Sequence, residues 1–342
     1  MTSDLSFPSL RQAMRRTALL LAFVPSLLAA QSYHVARRAR LGGDGGWDYL
    51  LADPASHRVF VSHGTHVVVV DARTDSLIGD IADTPGVHGV ALAPELGRGW
   101  TSNGRDSTIT VFDYGTLAPI ERIHEGGANP DAITYDSATK RVFAFNGRSG
   151  DAVVIDAQSD SVLALIPLGG KPEFAVTDGR GALWVNVEDT GEVVAVDTRT
   201  LAVTNRWSIK PCAEPSGLAI DRAHRRVFSV CDDVMAVSDV DAGKLLTTVK
   251  IGGGPDAAAF DPARGLAFAS NGEDGTITVV HEDSPSRFRV VQTVQTQRGA
   301  RTMTIDPATH ALYTVTADFE PATGAGRPRA KPGTFTMLVI EP

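Results

Sequence analysis

A seven-residue element recurs seven times along this 342-residue chain, and that recurrence constrains the fold more than any other feature. The copies are Trp47–Asp53, Val87–Ala93, Pro130–Asp136, Pro172–Asp178, Pro215–Asp221, Pro255–Asp261 and Ala300–Asp306. Their second residues are Asp48, His88, Asp131, Glu173, Ser216, Asp256 and Arg301, separated by 40, 43, 42, 43, 40 and 45 positions. Each unit holds four short strand signals with turn residues between them. In the third unit these are Asp131–Tyr135, Arg141–Phe145, Ala152–Ile155 and Val162–Pro167. Seven units of four strands predict an all-β chain folded as a seven-bladed β-propeller.

The seventh unit supplies strands at Thr302–Ile305, Ala311–Thr316 and Phe335–Ile340, and no fourth follows. Val35–Gly43 matches Val162–Gly170 in length and in its Gly-Gly ending. The ring is therefore predicted to close through an N-terminal outer strand in the last blade, which removes an unpaired edge. Phe60, Trp100, Phe143, Trp184, Phe228, Phe268 and Tyr313 share one position in strand two and are assigned to the core between blades. The Asp residues that end strand one (Asp53, Asp136, Asp261, Asp306) or strand three (Asp71, Asp113, Asp156, Asp197) are assigned to turns, where a carboxylate accepts backbone amides.

Upstream of the repeats, Arg11, Arg15 and Arg16 precede an apolar run from Thr17 to Ala30 broken at Pro25. The run is short for a membrane span and reads as a signal peptide over 1–30, cut after Ala30 or Ser32, with an uncleaved anchor as the alternative. The mature chain, 31–342, is then one propeller domain in the periplasm or outside the cell, with a mobile surface loop at 318–334. No later segment looks transmembrane, and a monomer is expected. The net charge of −8 is spread along the chain without a basic stripe, which argues against nucleic acid as a partner.

Strand two reads Phe-Val-Ser-His at 60–63, Trp-Thr-Ser-Asn at 100–103, Phe-Ala-Phe-Asn at 143–146 and Phe-Ala-Ser-Asn at 268–271. These resemble the Tyr-Val-Thr-Asn motif of YVTN-repeat, YncE-like propellers. Gly-Gly-Gly-Pro-Asp-Ala at 252–257 and Asn-Pro-Asp-Ala at 129–132 are similar to the linker that opens each blade in that family. The resemblance spans about residues 34 to 342 and implies the propeller fold. Its members include binding proteins and lactonase-like enzymes, so it leaves the activity open. Two departures stand out: Val187 where other blades place Asn, and the Pro- and Gly-rich insertion in blade seven.

In a propeller the start of strand one and the end of strand two share a face. Two sets of side chains are therefore expected at one mouth of the central channel. The inner set is the seven repeat residues from Asp48 to Arg301. The outer set is His63, Asn103, Asn146, Val187, Cys231, Asn271 and Thr316, with the loop residues His66, Arg105, Arg148, Glu188 and Asp232 beyond. Asp131 and Asp256 have a structural alternative, as acceptors for linker amides. The symmetry of the inner set is broken by charge, and the expected ligand-binding residues are Asp48, His88, Asn103, Arg105, Asp131, Asn146, Glu173, Asp256 and Arg301.

His63, His66 and His88, with Asp48 and Asp131 close by, are the candidate ligands for a divalent ion such as Zn²⁺. A hard-cation set of Glu173, Asn103, Asn146 and Asp131 is the alternative. The sequence holds no Gly-x-Ser-x-Gly elbow, no His-Glu-x-x-His and no phosphate loop. A hydrolase would need a metal or an activated water, with His88 or Glu173 as base and Arg105 or Arg301 orienting an anionic substrate. Cys212, in the linker entering blade five, and Cys231, ending strand two of that blade, belong to one face and are predicted to form a disulfide in an exported protein. The leading expectation is a non-catalytic binder of a small polar molecule or of an exported or envelope protein. A metal-dependent, lactonase-like hydrolase is the alternative.

Overall fold

The structure is a computed structural model that describes residues 1–3, 32–124, 126–321 and 328–342. The segment read as a signal peptide lies outside the described residues except for positions 1–3, and so does the middle of the expected 318–334 loop. Residues 32–342 form one compact unit.

That unit is a seven-bladed β-propeller. It contains seven antiparallel sheets of four strands, six of them in simple sequence order. The first strand of each blade meets the first strand of the next, and blade seven meets blade one, so seven strands encircle a channel. The last blade closes as expected: His34–Arg40 pairs antiparallel with Thr336–Glu341, from His34 opposite Glu341 to Arg40 opposite Thr336. Arg37 reinforces this seam through an ion pair to Glu341 and a 2.7 Å contact from Nε to Asp75 Oδ2 in blade one. Strand one of blade seven runs Met303–Asp306, one residue later than the sequence reading, and the last strand runs Thr336–Glu341. The insertion in blade seven is closed at its base by Glu320 N to Arg329 O (2.8 Å) and Lys331 N to Asp318 O (2.7 Å).

Seven hydrophobic clusters form among the described residues, one at each joint between adjacent blades. The strand-two aromatics divide among them one to a cluster, from Phe60 at the joint of blades one and two to Tyr313 at the joint of blades seven and one. All seven are buried. The wedge between twisted sheets is too wide for Val or Ala, and one ring fills it. Each burial contributes roughly 3 kcal/mol before entropy is counted.

Polar groups tie the same joints. The Asp that ends strand one accepts the amides of its own turn (Asp306 Oδ1 from Ala308 N, 2.8 Å) or reaches the next blade (Asp136 Oδ2 from Thr198 Oγ1, 2.7 Å). The Asp that ends strand three accepts the two following turn amides, as Asp156 Oδ1 does from Gln158 and Ser159, both at 2.9 Å. At the mouth end of strand two, Ser102 and Ser270 donate to the backbone carbonyls of Asp131 and Arg301 in the next blade. Asn186 Nδ2 does the same to Ser216 O at 2.9 Å. These bonds fix where the first residues of each inner strand stand, and so where their side chains converge.

Candidate functional site

The inner set meets as expected, and it is an ion-paired ring rather than a row of separate charges. His88 of blade two places Nδ1 2.5 Å from Asp48 Oδ2 of blade one and 3.6 Å from Asp131 Oδ1 of blade three. Arg301 of blade seven places Nη1 3.3 Å from Asp256 Oδ2 of blade six and Nη2 3.9 Å from Asp48 Oδ1. The same guanidinium donates to Trp47 O at 2.8 Å, so blades seven and one are also joined at the mouth. In blade four, Lys171 Nζ lies 2.6 Å from Glu173 Oε1 and also pairs with Glu188. Ser216 of blade five turns away and donates to Pro255 O at 3.0 Å.

Two backbone positions make room for these side chains. A Cβ on Gly104 would stand 2.5 Å from His88 Nε2, and one on Gly272 would stand 2.5 Å from the Arg301 Cβ. The imidazole therefore lies flat against a bare backbone on one side and is held by Asp48 on the other.

The ring is short of positive charge, and the pKa values of its members are raised accordingly. Burial pulls the His88 pKa down, but the hydrogen bond to Asp48 and the charges of Asp131, Asp48 and Glu173 outweigh it and raise the value to about 9. Burial raises Glu173 to about 8, helped by the Asp131 charge and the hydrogen bond shared with Glu188, against the pull of Lys171. Burial also raises Asp131 to about 6, with His88 and Lys171 opposing and Asp48 and Asp256 adding. The surroundings thus favour the imidazolium of His88 and the protonated form of Glu173.

Beneath the ring lies a floor. Tyr49 of blade one crosses the channel, packs edge-on against Phe174 of blade four (centroids 5.0 Å apart, planes at 75°), and joins the cluster between blades three and four. Its hydroxyl pKa is driven up by burial and by the charges of Asp131, Glu173, Asp48 and Asp256 above it. Below it a cavity of about 430 Å³, lined by Leu50, Val90, Ile133 and Val176 among others, runs toward Arg222 at the far face.

The outer set stands elsewhere. Asn103 is buried and donates from Nδ2 to Thr108 and Thr110 Oγ1 of its own blade at 3.1 and 2.9 Å. Asn146 is buried and donates to Asp151 Oδ1 at 2.7 Å. Asn271 repeats the pattern with Thr276 and Thr278, and Thr316 donates to Arg298 O at 2.7 Å. The three Asn side chains at this register face strand three and stitch the end of the hairpin, so Asn103 and Asn146 stand apart from the ion-paired ring. Cys231 occupies the same position and is bonded to Cys212 across a Cα separation of 5.6 Å, as predicted.

The three histidines proposed as metal ligands do not gather. His63 is buried, its ring stacked 4.2 Å from Phe335 and edge-on to His66, and burial lowers its pKa to about 4. Among the described residues, two groups bring three candidate donor atoms within 4.8 Å of one another: Asp48, His88 and Asp131 at the mouth, and Asp221, His224 and Glu282. Arg105 is exposed and takes part in no ion pair among the described residues.

Lys171 and Tyr49 are the site residues that the sequence reading missed, and both carry a signal. Lys171 stands where other blades have Gly46, Gly86, Asn129, Glu214, Gly254 and Gly299, and is the one cation of the set. Tyr49 and Phe174 stand where others have Gly89, Ala132, Gly217, Ala257 and Thr302.

No family profile matches the chain, and no curated protein matches it. Among solved structures it is similar to Kuenenia stuttgartiensis hydrazine synthase, with 16% identity and a TM-score of 0.69 over 79% of this chain and 92% of that one. It is likewise similar to U3-55K, with 10% identity and a TM-score of 0.72 over 90% of this chain and 98% of that one. At these identities the likeness is one of fold.

Proposed function

We propose that this protein is an exported propeller of the YVTN-repeat, YncE-like kind that binds a small polar ligand, carrying an amine, at the mouth of its channel, without catalysis. One observation carries the reading. Five carboxylates (Asp48, Asp131, Asp256, Glu173 and Glu188) converge with three cations (His88, Lys171 and Arg301) over an aromatic floor. A ligand cation entering this ring replaces a proton on Glu173 with a charge-assisted hydrogen bond, which exchanges a buried protonated acid for an ion pair. The fixed inner strands hold the donors and acceptors in place before the ligand arrives. Export is supported by the Cys212–Cys231 bond and by the basic and apolar N-terminal sequence. No helix among the described residues is long and apolar enough to cross a membrane.

The test is a thermal-shift screen of amines, amino acids, carboxylates and sugars against the mature chain at pH 7. Amines are expected to raise Tm, and Asp131→Asn and Asp256→Asn are each expected to weaken the best ligand about tenfold or more, the loss of a hydrogen bond between charged groups. Absence of any shift, or equal shifts in the variants, overturns the reading.

The hydrolytic alternative rests on the close approach of Asp48, His88 and Asp131. It requires a stoichiometric metal lost in Asp131→Asn, and lactone turnover that falls to background in Glu173→Gln.

A further inference from the structure

Strand one begins at the mouth and ends on the opposite face. There, its terminal Asp repeatedly meets a donor from the next blade. Asp53 Oδ2 accepts from Tyr114 Oη at 2.5 Å, and Asp136 Oδ2 from Thr198 Oγ1 at 2.7 Å. Asp178 Oδ2 pairs with Arg225 Nη1 at 2.9 Å, and Asp261 Oδ2 with His310 Nδ1 at 2.8 Å. The joint of blades five and six departs from this rule. Asp221 faces Glu282, an acid, and Glu282 occupies the repeat position of Tyr114 and Thr198. Each of these three follows the strand-three residue that pairs with the start of strand two: Asp113 with Arg98, Asp197 with Ala182, and His281 with Leu266.

Blade six is built to place that carboxylate. Its third and fourth strands, Thr276–Ser284 and Arg287–Gln295, have nine residues each, against six or seven in the other blades that contribute both strands. The hairpin thus continues past the turn that an Asp closes elsewhere. The side chains of Asp221 and Glu282 are each 3% exposed, and one nitrogen serves both: His224 Nδ1 lies 2.6 Å from Asp221 Oδ2 and 3.0 Å from Glu282 Oε1. The one N–H is directed at Asp221, and neither oxygen of Glu282 has a hydrogen bond of proper geometry. The neighbouring cation, Arg226, is directed to Asp239 Oδ2 at 3.0 Å and Pro285 O at 2.7 Å. The joint therefore presents an imidazole nitrogen and two buried carboxylates, all within 4.8 Å, with the half-exposed His224 ring leaving a side open to water.

We propose that Asp221, His224 and Glu282 bind a divalent transition ion of the Zn²⁺ class, which clamps blade five to blade six on the face opposite the mouth. One nitrogen and two oxygen donors suit this class, and an open fourth position for water completes a tetrahedron. In a tetrahedron of bonds about 2.0–2.2 Å long the donors stand about 3.4 Å apart, so the pairs now at 2.6 and 3.0 Å open by about 0.8 and 0.4 Å on binding, a movement that the half-exposed His224 ring can make.

The experiment is isothermal titration of the metal-stripped mature chain with ZnCl₂ at pH 7.5, alongside Tm measurements. Wild type is expected to bind one equivalent at this joint, and its Tm to rise about 5 °C in Zn²⁺ at a hundredfold excess over Kd. His224→Ala, a change at an exposed ring, and Glu282→Gln, which keeps the volume and gives Asp221 a donor, are each expected to lose that equivalent while remaining folded by circular dichroism. Asp131→Asn is expected to keep it, which separates this site from the mouth. Absence of Zn²⁺ binding, binding lost only in Asp131→Asn, or binding unchanged in both His224→Ala and Glu282→Gln overturns the proposal.

Discussion

Asp48 Oδ2 on blade one lies 2.5 Å from His88 Nδ1 on blade two, across the joint where the channel opens. This contact makes the mouth a proton-holding site and couples its charge to folding. In the folded protein His88 titrates near 9, Glu173 near 8 and Asp131 near 6, each above its ordinary value. At these three groups the native state binds more protons than the unfolded chain between about pH 4 and 9, and their contribution to stability falls as pH rises through that window, opposed only below about pH 6.5 by His63, whose pKa is lowered to about 4. The imidazolium's contribution is fully present below about pH 6.5 and is lost as pH approaches 9, on the order of 3 kcal/mol at most. Denaturant unfolding from pH 5 to 9 is expected to show this decline. Asp48→Asn should flatten its upper part and Glu173→Gln its lower part, and a wild-type profile that rises with pH contradicts the assignment.

The imidazole is also held from its other side. Gly104→Ala puts a methyl 2.5 Å from His88 Nε2 and 2.9 Å from Asn129 Oδ1. Overpacking of this kind costs about 1–3 kcal/mol. The His88 ring should leave Asp48, and its pKa, followed by NMR, should drop toward the ordinary value. An unshifted His88 titration would show that the ring does not depend on the bare backbone.

Reduction of Cys212–Cys231, or the double change to Ala, opens a link between residues 19 apart in sequence. The loss is about 3 kcal/mol in the chain-entropy picture. A fall in Tm of roughly 6 °C is expected, with the propeller still formed, because the other six joints are untouched. Equal Tm in oxidised and reduced protein would contradict a stabilising role.

Deletion of residues 32–40 removes the strand paired with Thr336–Glu341 and exposes that edge. An open edge strand recruits other chains. The truncated protein is expected to aggregate or to unfold at markedly lower denaturant, as read by size-exclusion chromatography and circular dichroism. A monomer of wild-type stability would mean that the seam contributes little.

The ring, its closure and its disulfide were legible in the sequence because each repeats or completes a pattern. Seven aromatics such as Trp100 and Phe228 recur at one register, and that register is the joint. The direction of the outer polar side chains is not legible in the repeat, as Asn103 illustrates. Residues near the end of a strand share a face of the propeller yet point in different directions, and Asn103 points at Thr108 and Thr110. Tyr49 lies outside the strand-two register of aromatics, and its signal is only that it stands where its counterparts are mostly Gly or Ala. The Asp221–Glu282 meeting was invisible because it joins two blades through a hairpin extension whose direction no local pattern encodes.

The central claim is that the mouth accepts a cation in exchange for a proton. Isothermal titration of the best-binding amine at pH 7, in two buffers of different ionisation enthalpy, measures that exchange directly. Net proton release is expected on binding to wild type and none in Glu173→Gln. Binding without proton release, or equal release in Glu173→Gln, would contradict it.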